Sequence, residues 1–362
     1  METVAPASLA EEWDNIGLQV GHYDWPVRKI WVALEATGDI VSEACLAQVS
    51  LLITHHPLIF HPIKAVDLGS SVGRIIRAAT ENKLAIFCAH TNLDSAVGGV
   101  NDVLAEKLGL EKCRVLKPAG GGNRLRKLVV FVPVGHEEGI LNALFESGAG
   151  ETQKYTNVSF RTKGVGTFKP TATARPFEGQ IGQTSQSDEF RIEALVSMKD
   201  LGKVVRKLKS AHPYEEMAYD IYDTGLQGET IGLGRIGNLD EVMTLASLAK
   251  VIKTKLALDW IKVAGDPALT VNRAAVCGGS GRGLLEDFLA SDAQVYVTGD
   301  LGYHDGRRVE AEGKGLIDVG HFASEQLIVG GMAAQLKHIF AEKGYSVEVK
   351  ACEDQKDCFY YL

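Results

Sequence analysis

The sequence predicts an α/β domain interrupted by a smaller α+β insert of ferredoxin-like order. Three observations carry this expectation. Short apolar, β-branched runs alternate with helical stretches through the first third of the chain. The same alternation returns after about residue 230. Between them, 125–225 reads as a self-contained β-α-β-β-α-β series. A length of 362 residues also exceeds one compact core, since domains usually run about 100–200 residues. Residues 1–124 and 226–362 are therefore expected to form one discontinuous domain, with 125–225 as the insert.

In the first third, 29–35 (KIWVALE), 50–54 (SLLIT) and 84–89 (LAIFCA) read as strands. Helices are expected between and after them at 39–48, 72–82 and 100–108. Nearly continuous apolar strands of this kind belong to a largely parallel sheet buried on both faces. A loop at 117–123 (KPAGGGN) leads into the middle segment. There, 127–133 reads as a strand, 136–147 as an amphipathic helix, and 155–168 and 189–197 as strands joined by a polar, Gly-rich stretch. A helix with a basic outer face at 199–211 and a strand at 217–222 complete the insert. Beyond 230 the expected helices are 242–256, 283–289, 304–312 and 324–343. The expected strands there are 260–264, 273–277, 294–298, 316–319 and 345–350.

Composition narrows the functional class. Hydrophobic residues make up 45% and charged residues 23%, the mix of an ordinary globular protein, which excludes disorder. The 46 acidic and 38 basic residues leave a net charge of −8, which argues against a nucleic-acid binder. No apolar run approaches the roughly 18–20 residues of a membrane span. The opening METVAPASLAEEWDNIG lacks a basic start followed by an apolar block, so a cytoplasmic location is expected. The six cysteines are scattered without a CxxC pair, as in a reducing compartment.

Residues with metal-binding or proton-transfer chemistry gather just after expected strands. SLLIT runs into His55 and His56, with His61 shortly beyond; LAIFCA runs into His90 and Asp94. QVYVT runs into Asp300 with His304 near the next helix start, and LIDV runs into His321 with Glu325 four residues on. Ligands of open α/β sheets bind beyond the carboxyl ends of the strands, so four such ends point to one convergent site. His321 and Glu325 are spaced to share one helical face and grip the same ion. Adjacent His55 and His56 diverge in an extended loop, which suits two ions better than one. Imidazole and carboxylate donors without a thiolate fit zinc, manganese or iron(II) with open coordination positions.

The segments WDNIGLQVG (13–21), ITHHPLIF (53–60), AHTNLDSAVGGVND (89–102), TGD (298–300) and GHFASE (320–325) closely resemble the NIF-three-like proteins. These are dinuclear-metal-centre proteins often labelled GTP cyclohydrolase type-two homologues. The likeness covers 1–116 and 230–362, and the segment around His212-Pro213-Tyr214 resembles the signal-transducer-like insert of the longer bacterial members. The resemblance implies two divalent ions per chain with His55, His56, Asp94, His321 and Glu325 as ligands. His56 and Asp94 would hold one ion, His55 and His321 the other, with Glu325 bridging. His90, Asp300 and His304 would serve as outer-sphere or proton-transfer groups. It also implies a toroidal homohexamer with its metal sites facing an internal cavity. Members usually carry a further segment ahead of APASLAEEWDN, so the packing of that edge is expected to differ here.

Two functions follow from these readings. One is a metal-dependent hydrolase in which activated water opens the purine ring of a nucleotide, with 278–283 (GGSGRG) as a candidate triphosphate cradle. The other is a hexameric metal-binding scaffold or regulatory protein whose insert binds a small effector or a partner. Trp13-Asp14-Asn15 is expected to anchor and cap, the Trp burying area and a neighbour bonding backbone N–H groups.

Overall fold

The computed structural model describes residues 1–119, 124–152, 154–198, 200–227 and 231–360. The chain divides into two compact units, one of Met1–Ala119 and Ile231–Leu362, the other of Gly120–Thr230. Residues 120–123 of the expected loop and Lys199 at the head of an expected helix lie outside the described residues.

The larger unit begins with a 3-10 turn, then β1 (Gly17–Val20), β2 (Lys29–Ala33), α1 (Gly38–Leu46), β3 (Leu51–Thr54) and α2 (Ser71–Glu81). β4 (Ala85–Cys88), the short α3 (Thr91–Ser95), α4 (Val100–Leu108) and β5 (Leu110–Pro118) follow. Side-chain caps fix the helix starts: Thr37 accepts from the Ile40 N–H and Ser70 from that of Gly73. Left-handed Gly109 stops α4.

The second unit contains β6 (Arg124–Pro133), α5 (Glu137–Glu146), β7 (Phe160–Phe168), β8 (Ser185–Ser197), α6 (Leu201–Ala211) and β9 (Tyr219–Gln227). Its sheet is antiparallel with the order β7-β8-β6-β9, the ferredoxin-like arrangement. Leu128, Val130, Ile192 and Ala194 of the sheet pack against Ile140, Leu144, Val204 and Leu208 of its two helices.

The larger unit resumes with β10 (Gly232–Thr244), α7 (Leu245–Lys255), β11 (Lys262–Ala264), β12 (Thr270–Ser280) and α8 (Leu285–Ala290). It ends with β13 (Val295–Gly299), α9 (Tyr303–Ala311), β14 (Gly315–Asp318), α10 (His321–Glu325), α11 (Leu327–Glu342) and β15 (Glu348–Ala351). Instead of one largely parallel sheet there are two: β1-β4-β3-β2-β15 and β11-β14-β13-β12-β10-β5. The first is parallel except for β1, which pairs antiparallel with β4, and the second has a parallel centre of β12, β13 and β14 with antiparallel strands on both sides. Of the flanking strands, β11 and β15 fall on expected strands, whereas β1, β5 and β10 are passed over by sequence patterning. β10 carries glycines and charges that read as loop, yet it pairs with both β5 and β12. It also takes the first residues of the expected helix 242–256, which starts only where Thr244 caps it. The expected helix 324–343 begins earlier, as α10, and is interrupted at Gln326 before α11.

Helices cover both faces of both sheets. Val32 and Ile53 meet Ile328 and Met332 on one side of the first sheet, while Leu52 and Ile86 meet Val41 and Ala79 on the other. Val276, Val297 and Ile317 of the second sheet meet Leu104, Leu248 and Ile252, and Tyr296 and Leu316 meet Phe288 and Val309. All six cysteines are free. No helix of the described residues is long and apolar enough to cross a membrane.

Candidate metal centre

Strands from both sheets deliver their carboxyl ends to one polar cluster. β3 passes directly into His55 and His56, and β4 leads through His90 into α3, which carries Asp94. β13 runs into Asp300, and β14 runs through Gly320 into α10, which carries His321 and Glu325 one turn apart. Three donor groups result: His55, Asp94 and Glu325; His56, His321 and Glu325; and His55, His56 and His90.

The Glu325 carboxylate is divided between the first two groups. Its Oε1 lies 3.6 Å from His55 Nε2, which is itself 3.6 Å from Asp94 Oδ1. Its Oε2 lies 2.8 Å from His56 Nε2 and 3.1 Å from His321 Nε2. His55 therefore goes with Asp94 and His56 with His321, which corrects the pairing the resemblance implied. The reason is local: successive side chains of extended chain point to opposite sides, His55 inward toward α3 and His56 outward toward α10.

A partner on the far side orients each imidazole. His55 Nδ1 donates to the Ala89 carbonyl at 3.0 Å, His56 Nδ1 meets Glu35 Oε1 at 3.1 Å, and His321 Nδ1 meets Asp300 Oδ2 at 2.7 Å. His90 Nδ1 meets Asp14 Oδ1 at 2.9 Å. With Nδ1 engaged, each ring is left to present Nε2, the arrangement that metal-binding histidines use. Asp300 adopts a left-handed φ of 59° immediately after β13, a conformation Asp tolerates and functional sites often hold.

Electrostatics marks the cluster as cation-seeking. Burial opposes charge on His56, but its bonds to Glu325 and Glu35 prevail and carry it up to about 10. The Glu325 bond carries His321 up to about 9. Burial alone would raise the Glu325 carboxyl, yet the imidazoles of His55, His321 and His56 hold it well below the usual carboxylate range. Burial pushes the Asp94 carboxyl upward. His55 Nε2 and Asp94 Oδ1 are buried without any hydrogen-bond partner. Such orphaned atoms are costly, and their 3.6 Å separation is close to the roughly 3.4 Å edge of a tetrahedron with zinc-like bond lengths. The donor set fits a divalent ion.

Two of the glycines after Cys277, Gly278 and Gly279, serve this cluster. The Gly278 and Gly279 N–H groups are already given to Asn101 Oδ1 and Ser324 Oγ. A Cβ on Gly279, whose φ is +61°, would lie 2.1 Å from Glu325 Oε1, so glycine makes room for the shared carboxylate. His304 is exposed with its ring against Tyr303, and it belongs to none of the donor groups. It sits in the first turn of α9, on the solvent side. His61 is exposed too.

Sequence patterning assigned no site role to Asp14 or Glu35. Asp14 Oδ2 accepts from the Thr91 N–H at 3.0 Å, so Asp14 both caps α3 and steers His90. Although burial would raise it, the bonds from His90 and Thr91 hold its carboxyl down to about 2. Trp13, expected to bury area, is instead 61% exposed. Glu35 follows β2, and that position beyond a strand end was its available signal. A cleft of about 1060 Å³ opens on the cluster, lined among others by Glu35, His56, Phe60, His90, Asp300 and His321.

Two sheets whose strand ends converge on a shared carboxylate define an α/β protein with a candidate metal centre. The chain belongs to the Duf34/NIF3 (NGG1p interacting factor 3) family, whose model matches residues 1–357. It is 38% identical over 361 residues to a "GTP cyclohydrolase 1 type 2 homolog" of Halalkalibacterium halodurans, covering 100% of this chain and 96% of that protein. A protein of the same name from Bacillus subtilis is 36% identical with the same coverage. Among solved structures, a Bacillus cereus protein related to NIF3 superposes with a TM-score of 0.86 at 39% identity, covering 100% of this chain and 96% of that one. A Staphylococcus aureus protein superposes with a TM-score of 0.78 at 29% identity and the same coverage.

Proposed function

We propose that the chain is a dinuclear-metal-dependent hydrolase acting on a nucleotide-like small molecule, with purine ring opening as its reaction. The observation that carries this reading is the division of Glu325, with one oxygen toward His55 and Asp94 and the other toward His56 and His321. These five side chains would hold two divalent ions of zinc, iron or manganese. Bound there, two ions supply activated water near neutral pH and a positive field for the developing anion.

The protein groups do the rest. Glu35 and Asp300 hold the His56 and His321 rings in register. With its Nδ1 proton given to ionised Asp14, His90 keeps Nε2 as a base at the edge of the cluster. It takes a proton from the water that adds to C8 and gives it to one ring nitrogen, and as the other C8–N bond breaks the C8 hydroxyl proton passes to the departing nitrogen, leaving a formamide. A second water cleaves the formamide C–N bond, releasing formate and leaving the nitrogen as an amine. Asp300 acts through His321 as a positioning residue.

The test is elemental analysis of reconstituted protein followed by a nucleotide-hydrolysis screen on the same sample. About two divalent ions per chain, and turnover that disappears on chelation and returns with metal, are expected. Absence of bound metal, or hydrolysis indifferent to it, would sink the proposal. Metal bound without turnover of any nucleotide would instead favour the scaffold function. A cytoplasmic homohexamer belongs to the same reading, and light scattering on the purified protein checks the assembly.

A further inference from the structure

We propose that Trp13 and Phe60 form a stacking platform for a planar heteroaromatic ring, holding its edge toward His90 and the metal centre. The inference rests on the nucleotide-hydrolase reading above and names how the base is gripped.

Trp13 is 61% exposed and Phe60 48% exposed. Their ring centroids are 5.9 Å apart with planes tilted by 58°, so together they form an open corner. His90 closes its base, edge-on to both rings at 6.1 and 6.4 Å. The same His90 ring lies 5.2 Å from that of His55 and 5.8 Å from that of His56. A flat ring lying on one wall of this corner meets the other wall edge-to-face, the geometry that aromatic quadrupoles favour. Phe60 and His90 also line the cleft beside His56 and His321, so the Phe60 wall opens on the cleft and Trp13 stands behind it, against both rings.

The corner is fixed in place. Asn15 Nδ2 donates to the Ile59 carbonyl at 2.7 Å, the Ile59 N–H donates to Gln19 Oε1 at 3.1 Å, and Gln19 Nε2 donates to the Asn15 carbonyl at 2.9 Å. This lattice joins the segment carrying Trp13 to the loop carrying Phe60. Asp14, between Trp13 and Asn15, fastens the same segment to His90. Two exposed apolar rings are thus held at a set distance from the metal-binding imidazoles, a preorganised surface rather than loose side chains.

The experiment titrates metal-loaded protein by calorimetry with guanosine 5′-triphosphate and, separately, with inorganic triphosphate. The nucleotide should bind more tightly than triphosphate. Trp13→Leu and Phe60→Leu should each weaken nucleotide binding by roughly 5- to 150-fold while leaving triphosphate binding and metal content unchanged. Trp13→Phe and Phe60→Tyr, which keep a ring, should retain it, and they carry the test if a leucine variant fails to fold. Equal weakening of both probes, no weakening of either, or a changed oligomeric state in a leucine variant would overturn the platform. So would a wild-type protein that binds the nucleotide no better than triphosphate. Metal-dependent turnover is measured on the same samples. Nucleotide binding that depends on the rings but occurs without any turnover would keep the platform and sink the hydrolase reading, whereas turnover without ring dependence would do the reverse.

Discussion

The candidate metal centre and the ferredoxin-like unit each bury a histidine beside carboxylates, and they treat it in opposite ways. In the ferredoxin-like unit, His212 Nε2 donates to the Phe131 carbonyl at 2.9 Å and its Nδ1 accepts from the Tyr214 N–H at 3.1 Å. The neighbouring Tyr214 hydroxyl donates to Glu189 Oε1 at 2.9 Å, and Ser187 donates to Glu178 Oε2 at 2.8 Å. Both nitrogens of that imidazole are spent on the fold. In the candidate metal centre only Nδ1 of His55 is spent, and its Nε2 faces Asp94 Oδ1 with both atoms unpartnered. A satisfied buried histidine is structural, whereas a half-satisfied one aimed at a carboxylate marks a place for a cation.

The strongest way to break this contrast is to remove the shared carboxylate. Glu325→Gln keeps the shape but takes an anionic donor from both groups. It should lower the occupancy of both ions by more than the roughly 100-fold affinity loss typical of losing an outer partner. Asp94→Asn should empty mainly the position shared with His55 and leave the other nearly filled. Anomalous scattering at the metal edge on crystals of the two variants distinguishes these outcomes. Equal, full peaks in Glu325→Gln would show that this carboxylate is not a required ligand.

A smaller effect is expected one shell out. Asp300→Asn should cost about 10- to 100-fold in metal affinity at the His56 and His321 position alone, measured by competition with a chromophoric chelator. An effect on both positions would mean that Asp300 does more than orient His321.

Gly279→Ala tests the packing beneath the cluster. The added methyl meets Glu325 Oε1 and the left-handed backbone disfavours it, so a loss of about 2–4 kcal/mol is expected in chemical denaturation of the metal-free protein. An unchanged midpoint would show that the strand and α10 can separate at little cost.

The smallest effect sharpens the other side of the comparison. Burial lowers the His212 pKa from its ordinary 6.5, the bond to Phe131 only partly opposing this, so the folded unit holds the neutral ring. Its contribution is full above pH 6.5 and declines as pH falls below that value, because the unfolded chain then binds the extra proton. Hydrogen exchange across β6 and α6 should accelerate modestly between pH 7 and 5, after correction for intrinsic rates, and His212→Gln should remove that acceleration.

Sequence alone singled out the candidate donors and the strands that carry them. Apolar runs ending in His55-His56, His90, Asp300 and His321 are local patterns, and the strand-end rule converts them into a site. The α/β alternation and the β-α-β-β-α-β series were legible for the same reason, since periodicity and helix caps act within a few residues. Only the tertiary structure decided which donors meet. His56 and Glu325 are 269 residues apart in the chain, and His90 and Asp14 are 76 apart, so no local pattern relates them. The flanking strands β5 and β10 form because a neighbouring strand supplies their hydrogen bonds, which the charges of β5 and the glycines and charges of β10 do not announce. The roles of Asp14, Glu35 and Gly279 arise the same way: a carboxylate beside a ring nitrogen, or a missing Cβ beside a carboxylate, has meaning only once the chain has brought its partner within about 3 Å.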